Sequence, residues 1–212
     1  MRVLLAGYAA DRYISQRRYI AKTIEQKVLQ MNKAPTIVHD NAPSLTPLVT
    51  LLADDMEQVN AQIVARMASD VPLVPELAGH LIAAGGKRLR PLLTLAGARL
   101  AGGSPHAIGL ATAVEFIHSA TLLHDDVIDE SKWRRGHDTA NALWGNGASV
   151  LVGDFLFARA FELMVETDSL SVLGRLSNAS ARITEGEIKQ MTIAGVADTP
   201  AADYLDVIRN KT

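Results

Sequence analysis

Residues 105–127 are apolar with almost no polar break until the stretch ends in Asp125 and Asp126, with Asp129 just beyond. So long an apolar run fits a helix buried on most of its sides. The flanking segments are patterned to match. Met56, Val59, Ile63 and Met67 recur at i, i+3/i+4, the spacing of one buried helix face. Leu92, Leu95, Ala96 and Leu100 repeat it, with Pro91 tolerated in a first turn. Residues 150–165, 169–191 and 201–208 continue the series. Gly102-Gly103-Ser104-Pro105, Gly145-Asn146-Gly147 and Asp198-Thr199-Pro200 supply the stops and starts. No period-2 run and no fixed repeat is evident. The expected fold class is all-α.

Composition narrows the functions open to such a chain. Its 212 residues, 48% of them hydrophobic, suffice for a domain with a sizeable core. Lys and Arg number 21 against 23 Asp and Glu, a balance unlike that of a dedicated nucleic-acid binder. Cysteine is absent, which excludes disulfides, thiolate zinc sites and cysteine nucleophiles, so any metal must be held by oxygen or imidazole. No run is expected to reach the ~18 apolar residues of a membrane span.

The charge is unevenly placed. Residues 1–33 carry seven basic side chains against Asp11 and Glu25, a net +5, so the remainder is −7. Pro35, Pro43 and Pro47 punctuate the junction. Residues 1–47 are therefore read as a basic extension with its linker, and 48–212 as the domain. The extension is too short in its apolar part for a signal-peptide core. Its basic character suits a transit peptide, against which Asp11, Glu25 and scarce serine count. Ile20, Ile24, Val28 and Met31 also fit a short amphipathic helix, and a wrongly chosen start codon would leave a similar segment.

The acids carry the sharpest chemical signal. Positions i and i+4 of a helix share a face about 6 Å apart along the axis, so Asp125 and Asp129 project together with Asp126 beside them. Carboxylates on an otherwise apolar helix repel one another and are costly to bury unpaired. Either they sit on a solvated helix end, or a hard divalent cation lies between them. Oxygen ligands suit Mg²⁺, which takes one or two carboxylates plus substrate phosphates and so predicts a diphosphate in the same cavity.

Two basic clusters answer the acids. Gly85-Gly86-Lys87-Arg88-Leu89-Arg90-Pro91 sets a glycine pair before a helix start, with Lys87 and Arg90 three apart on one face. Glycine allows close backbone approach, and a helix N-terminus favours anions. Arg134-Arg135-Gly136 offers forked donors suited to phosphate oxygens. Either cluster alone would pass for an exposed basic loop; both around an acidic trio are harder to dismiss.

These three motifs, in this order, resemble the signatures of trans-type polyprenyl diphosphate synthases. His118 seven residues before Asp125, Gly153-Asp154-Phe155-Leu156, Gly186-Glu187 with Gln190, and Lys211-Thr212 add to the likeness, which runs from about Leu48 to Thr212. The resemblance implies a bundle of mainly antiparallel helices around a deep apolar cavity, usually in a homodimer. It implies that Asp125 and Asp129 ligate Mg²⁺ bound to an allylic diphosphate, with Asp126 in support. Arg134 would grip that diphosphate. Lys87, Arg90, His118 and Arg135 would hold isopentenyl diphosphate. Lys211 and Thr212 would line the allylic site. For His124 a structural role is expected. The implied reaction ionises the allylic C–O bond as Mg²⁺ and cationic side chains neutralise the departing diphosphate. The isopentenyl double bond then attacks, and a proton is lost.

Product length is expected to depend on Ala120 and Thr121, about one turn below Asp125. Family members making short products resemble one another in carrying a bulky aromatic there; these small residues imply a long-chain all-trans product for isoprenoid, including quinone side-chain, synthesis. Small residues that merely allow close helix packing are the alternative. The chain departs from the family pattern in ending before a second aspartate-rich motif, and its last helical segment stops at Lys211-Thr212 with no Gly, Asn or Pro to close it. Asp203 and Asp206 precede Lys211 and are read as a solvated face, while Tyr204, Leu205 and Ile208 form the apolar one. The expectation is thus the N-terminal portion of a synthase, inactive or impaired alone. A non-catalytic partner subunit of a full-length synthase, a terpene cyclase and a purely structural helical protein are the other readings. The default location is the cytoplasm, with peripheral membrane contact through an insoluble product, or mitochondrial if the extension is a presequence.

Overall fold

Helices α1 (Thr46–Leu51) and α2 (Ala53–Arg66) open the chain as described by the computed structural model, which covers residues 44–83 and 86–211. Nearly all of the 1–47 extension, Gly85 and Thr212 lie outside the described residues. There follow α3 (Leu73–Ala83), α4 (Leu89–Leu100), α5 (Ala107–Ile128), a two-stranded hairpin of β1 (Trp133–Arg134) and β2 (His137–Asp138), α6 (Ala140–Trp144), α7 (Asn146–Val165), α8 (Leu170–Ile193) and α9 (Ala201–Lys211). The chain divides into two compact units, one through Ala160 and the other from Phe161.

The first unit is organised around α5, against which α2, α4 and α6 pack. Its buried face carries Ala111, Ala113, Phe116, Ile117, Ala120 and Leu123, where small side chains let neighbouring helices approach and Phe116 and Leu123 fill the space between. Helix α2 contributes Leu52, Val59, Ile63 and Met67, the stripe its spacing predicts, with Met56 half-buried. Asp54 and Asp55 sit in its first turn, where the helix dipole favours acids. Asp55 accepts from Arg99 Nε and Nη2 at 3.0 and 2.7 Å, an exposed tie from α2 to α4 worth about 0–1 kcal/mol. Pro91 lies in the first turn of α4 and is buried with Leu92 and Leu95, but Leu100, expected on that face, is 90% exposed at the helix end.

Two further expectations change. Helix α5, at 22 residues, is long and apolar enough by length and composition to cross a membrane, although no segment was expected to be. It is nevertheless built into the first unit and carries Glu115, His118, Asp125 and Asp126. The hairpin β1–β2 is too short for any period-2 signal. Arg135 (φ 53°) and Gly136 (φ 82°) form its turn, the two positive φ values of a type I′ connection. Among the described residues the regular structure is otherwise helical, as the sequence predicts.

In the second unit α9 lies on α8, with the opposite face to the one expected. Tyr204, Leu205 and Ile208 are 59%, 57% and 43% exposed, and Val207 is the buried apolar residue. The inward face is polar. Lys189 Nζ bridges Asp203 and Asp206 at 2.9 and 2.8 Å, with both acid side chains still partly exposed to solvent, and Arg182 donates to Asn210. Gly186 permits the approach: a Cβ there would lie 2.9 Å from Lys211 N. Removing the largest fully buried side chain described in the first unit tests the packing around α5. Phe116→Ala is expected to lower unfolding free energy by about 3–5 kcal/mol, read from urea denaturation.

Candidate active site

The end of α5 places its three acids differently. Asp126 is 2% exposed and points inward, Asp125 is half-buried and Asp129, the C-cap, is exposed. Asp126 accepts Arg134 Nε at 3.0 Å and Nη2 at 2.8 Å on Oδ1, with Nε also 3.1 Å from Oδ2. A forked guanidinium on a buried carboxylate is the pairing that makes such a burial tolerable. Arg134 is held firmly protonated, first by the hydrogen bond to Asp126 and then, against some burial, by the charges of Asp126, Asp125 and Asp129. Asp125 and Asp129 retain the i, i+4 relation, since Asp129 keeps helical backbone angles.

Beside this helix lies a cavity of about 590 Å³. Its wall combines Lys87, Arg88 and Arg90, then Glu115, His118, Ser119 and Leu122 of α5, then Arg134 and Arg135 of the hairpin, with Leu81 and Gly86. Lys87 precedes α4 rather than sharing a helical face with Arg90, because Arg88 is the N-cap in a left-handed conformation (φ 47°). Both nevertheless reach the cavity. Gly86 lies so close to Arg135 that a Cβ would come within 2.9 Å of its Nη1. Lys87, Arg90, His118 and Arg135, separated by up to 48 positions in sequence, are thus brought together, and Arg134 joins them.

His118 responds to these cations. Burial above all, then the charges of Arg90, Arg135, Arg134 and Arg88, lower its pKa to about 4. The ring is neutral at pH 7. Arg90 Nη1 lies 3.3 Å from Nε2, and a guanidinium can only donate, so Nε2 accepts and the ring proton resides on Nδ1.

Two cavity residues carry no role in the sequence reading. Arg88 and Glu115 form a short ion pair with side chains 11% and 9% exposed. Glu115 lies three residues before His118, hence on the same helix face, which is the signal that could have found it. Arg88 stood inside the quoted glycine–lysine motif without an assignment. Ala120 is fully buried, while Thr121 is half-buried and donates to His118 O at 2.8 Å. In the second unit, Lys211 Nζ reaches Glu187 at 2.8 Å and Gln190 Oε1 at 3.1 Å, which explains why Gly186, Glu187 and Gln190 accompany it in sequence. Thr212 lies outside the described residues.

Among the described residues no three His, Cys, Asp or Glu side chains converge as a ready metal cluster. The donor set still fits Mg²⁺. Asp125 and Asp129 offer two carboxylates at the C-terminal end of a helix, where the dipole favours a cation, and Mg²⁺ commonly completes its shell with waters and substrate phosphates.

A basic cavity beside a helix-borne pair of aspartates has the charge pattern of an anion-binding site. Comparison with known proteins gives the family. The polyprenyl synthetase family model matches residues 71–212, and the chain belongs to that family. It is 47% identical over 171 residues to octaprenyl diphosphate synthase of Haemophilus influenzae, covering 80% of this chain and 52% of the relative. It is 46% identical over 171 residues to the Escherichia coli enzyme of that name, covering 80% of this chain and 53% of the relative. A decaprenyl diphosphate synthase structure from Rhodobacter capsulatus superposes with TM-score 0.78 at 57% identity, over 80% of this chain and 53% of that one. A polyprenyl synthase from Caulobacter crescentus CB15 gives 0.79 at 55% identity, over 82% and 53%. The fold is that of the isoprenoid synthases, and the chain spans about half the length of the relatives it matches.

Two outcomes are expected at this site. Asp126→Asn should cost about 1–3 kcal/mol of stability through loss of a charged hydrogen bond, while Asp125→Asn and Asp129→Asn cost less, measured by denaturant unfolding. The His118 titration followed by NMR should start from about 4 in the unliganded protein and move upward when inorganic diphosphate enters the cavity, because the anion offsets the arginines. Since folding lowers this pKa, the unfolded chain binds the extra proton first. His118 therefore withdraws stability as pH falls from about 6.5 toward 4.

Proposed function

We propose that the whole protein is a Mg²⁺-dependent prenyltransferase that condenses isopentenyl diphosphate with an allylic prenyl diphosphate, giving a long-chain all-trans polyprenyl diphosphate. The observation that carries this reading is the cavity in which Lys87, Arg90, Arg134, Arg135 and a neutral His118 converge beside the Asp125/Asp129 helix end. Relatives named octaprenyl and all-trans-nonaprenyl diphosphate synthase support the product class. A neighbouring structure titled as a complex with calcium and isoprenyl diphosphate supports the ligand chemistry.

In this reading the basic cavity binds the diphosphate of isopentenyl diphosphate through Lys87, Arg90 and Arg135. His118 Nδ1–H adds a neutral donor. Asp125 and Asp129 hold Mg²⁺, which when bound supplies Lewis-acid neutralisation of the allylic diphosphate. Arg134, anchored on Asp126, adds positive charge where the leaving group develops negative charge. The allylic C–O bond breaks, a C–C bond forms from the isopentenyl double bond, and the proton lost passes to the released diphosphate. Lys211 and Thr212 serve the allylic group. Mg²⁺ dependence, a homodimer, a cytoplasmic location with peripheral membrane contact and supply of quinone side chains all belong to this proposal. A second reading, a partner subunit, draws on one relative named heptaprenyl diphosphate synthase component 2, from Geobacillus stearothermophilus, 37% identical over 169 residues.

The test is Mg²⁺-dependent condensation of labelled isopentenyl diphosphate with farnesyl diphosphate, with products sized by chromatography. Long prenyl products that vanish with chelator are expected from the chain itself or on joining it to the part of a relative that it does not cover. Activity that requires a separate catalytic protein would favour the subunit reading. Inactivity in every combination would sink both. Thr121→Phe should shorten the product and is the cleaner probe of chain length. At fully buried Ala120 a Phe would overpack the core at a cost of about 1–3 kcal/mol.

A further inference from the structure

His124 stands one residue before Asp125, and its ring turns toward α7. Nε2 lies 3.1 Å from Val150 O and 3.4 Å from Asp154 Oδ1. A carbonyl can only accept, so Nε2 carries the proton. The ring occupies space that α7 leaves by having glycine at 153. A Cβ on Gly153 would lie 2.7 Å from His124 Cδ2 and closer still to Nε2, and side-chain carbons do not approach so near. Two other side chains hold the same stretch of helix. Ser149 Oγ, fully buried, donates to Leu123 O at 2.9 Å, and Asn141 Nδ2 donates to Asp126 O at 3.0 Å.

The backbone of this last turn is already bonded along the chain, with Asp129 N donating to Asp125 O at 2.8 Å and Ser131 N to Asp126 O at 2.9 Å, so what the side chains add is lateral restraint against the neighbouring helices. Here α6 and α7 grip consecutive points along the end of α5. Rotational freedom at this place would be costly. A rotation of about 15° moves a side-chain tip at the ~5–6 Å helix radius by about 1.5 Å, several times the ~0.2 Å tolerance of metal–oxygen distances.

We propose that His124, seated on Gly153, is a positioning residue that sets the rotation of the last turn of α5 and thereby the direction in which Asp125 and Asp129 present their carboxylates. Ser149 and Asn141 hold the backbone in support. The inference rests on the reading of those two aspartates as metal ligands.

The experiment measures Mn²⁺ binding by electron paramagnetic resonance, with inorganic diphosphate present, in the wild-type chain, Gly153→Ala, His124→Ala and the double variant. Diphosphate binding without metal is followed in parallel by calorimetry. Each single variant is expected to weaken Mn²⁺ binding by about tenfold or more, as losses in the outer shell of a metal site do, while metal-free diphosphate binding stays within twofold. In the His124→Ala background Gly153→Ala should add less than twofold, because the ring it would strike is gone. Should Gly153→Ala not fold, His124→Ala carries the same comparison. Wild-type Mn²⁺ affinity in a folded single variant would overturn the proposal, as would equal weakening of Mn²⁺ and diphosphate. A wild-type chain that bound no Mn²⁺ would overturn the metal-ligand reading and this inference with it.

Discussion

The first unit depends on the pairing of Asp126 with Arg134. Three carboxylates at the C-terminal end of an apolar helix are doubly disfavoured, by one another and by the negative end of the helix dipole. Turning Asp126 inward onto a forked guanidinium removes one charge from that crowd and fixes the hairpin at the same time. The hairpin needs this, since two-residue strands are not stable by themselves. Thr139 Oγ1 to Ser131 O at 2.7 Å, and His80 Nε2 beside Asp138 O at 2.8 Å, secure its other end. One arginine thereby becomes a cavity wall and a helix anchor together.

The cavity shows the converse imbalance. Lys87, Arg88, Arg90, Arg134 and Arg135 line it, with Glu115 as the single acid among the described residues of the wall. Glu115 neutralises Arg88 and Asp126 neutralises Arg134, but burial, and after it the field of the arginines, still holds His118 in its neutral form. Cations gathered at this density repel one another and are tolerable where a multivalent anion completes the site. A neutral imidazole among them adds hydrogen bonding without adding to the repulsion.

Much of this was legible in the sequence. The 3.6-residue stripe of α2 and the acid spacing on α5 were readable because they depend on local geometry alone. The pairing of glycine-rich and arginine motifs into one cavity was readable as chemistry, though not as geometry. The left-handed Arg88 was not, for a non-glycine residue at positive φ persists only when tertiary contacts such as its pair with Glu115 hold it. Helix α9 was misread for a different reason. Its apolar and polar faces are both helical in period, and the assumption that apolar faces inward failed where Lys189, Asp203, Asp206 and Asn210 supplied a bonded polar contact instead. Leu100 failed because a stripe says nothing about where its helix outruns its neighbours.

The glycines show how sequence motifs and packing meet. Gly86 makes room for Arg135, Gly153 for His124, and Gly186 for the backbone of Lys211. In each case the glycine is on one element and the side chain or backbone that needs the space is on another, at positions 135, 124 and 211 respectively. A sequence pattern records the glycine but not its partner. All three partners belong to, or directly adjoin, the residues assigned to diphosphate or metal. The close approaches thus lie at the residues to which the proposed chemistry is assigned.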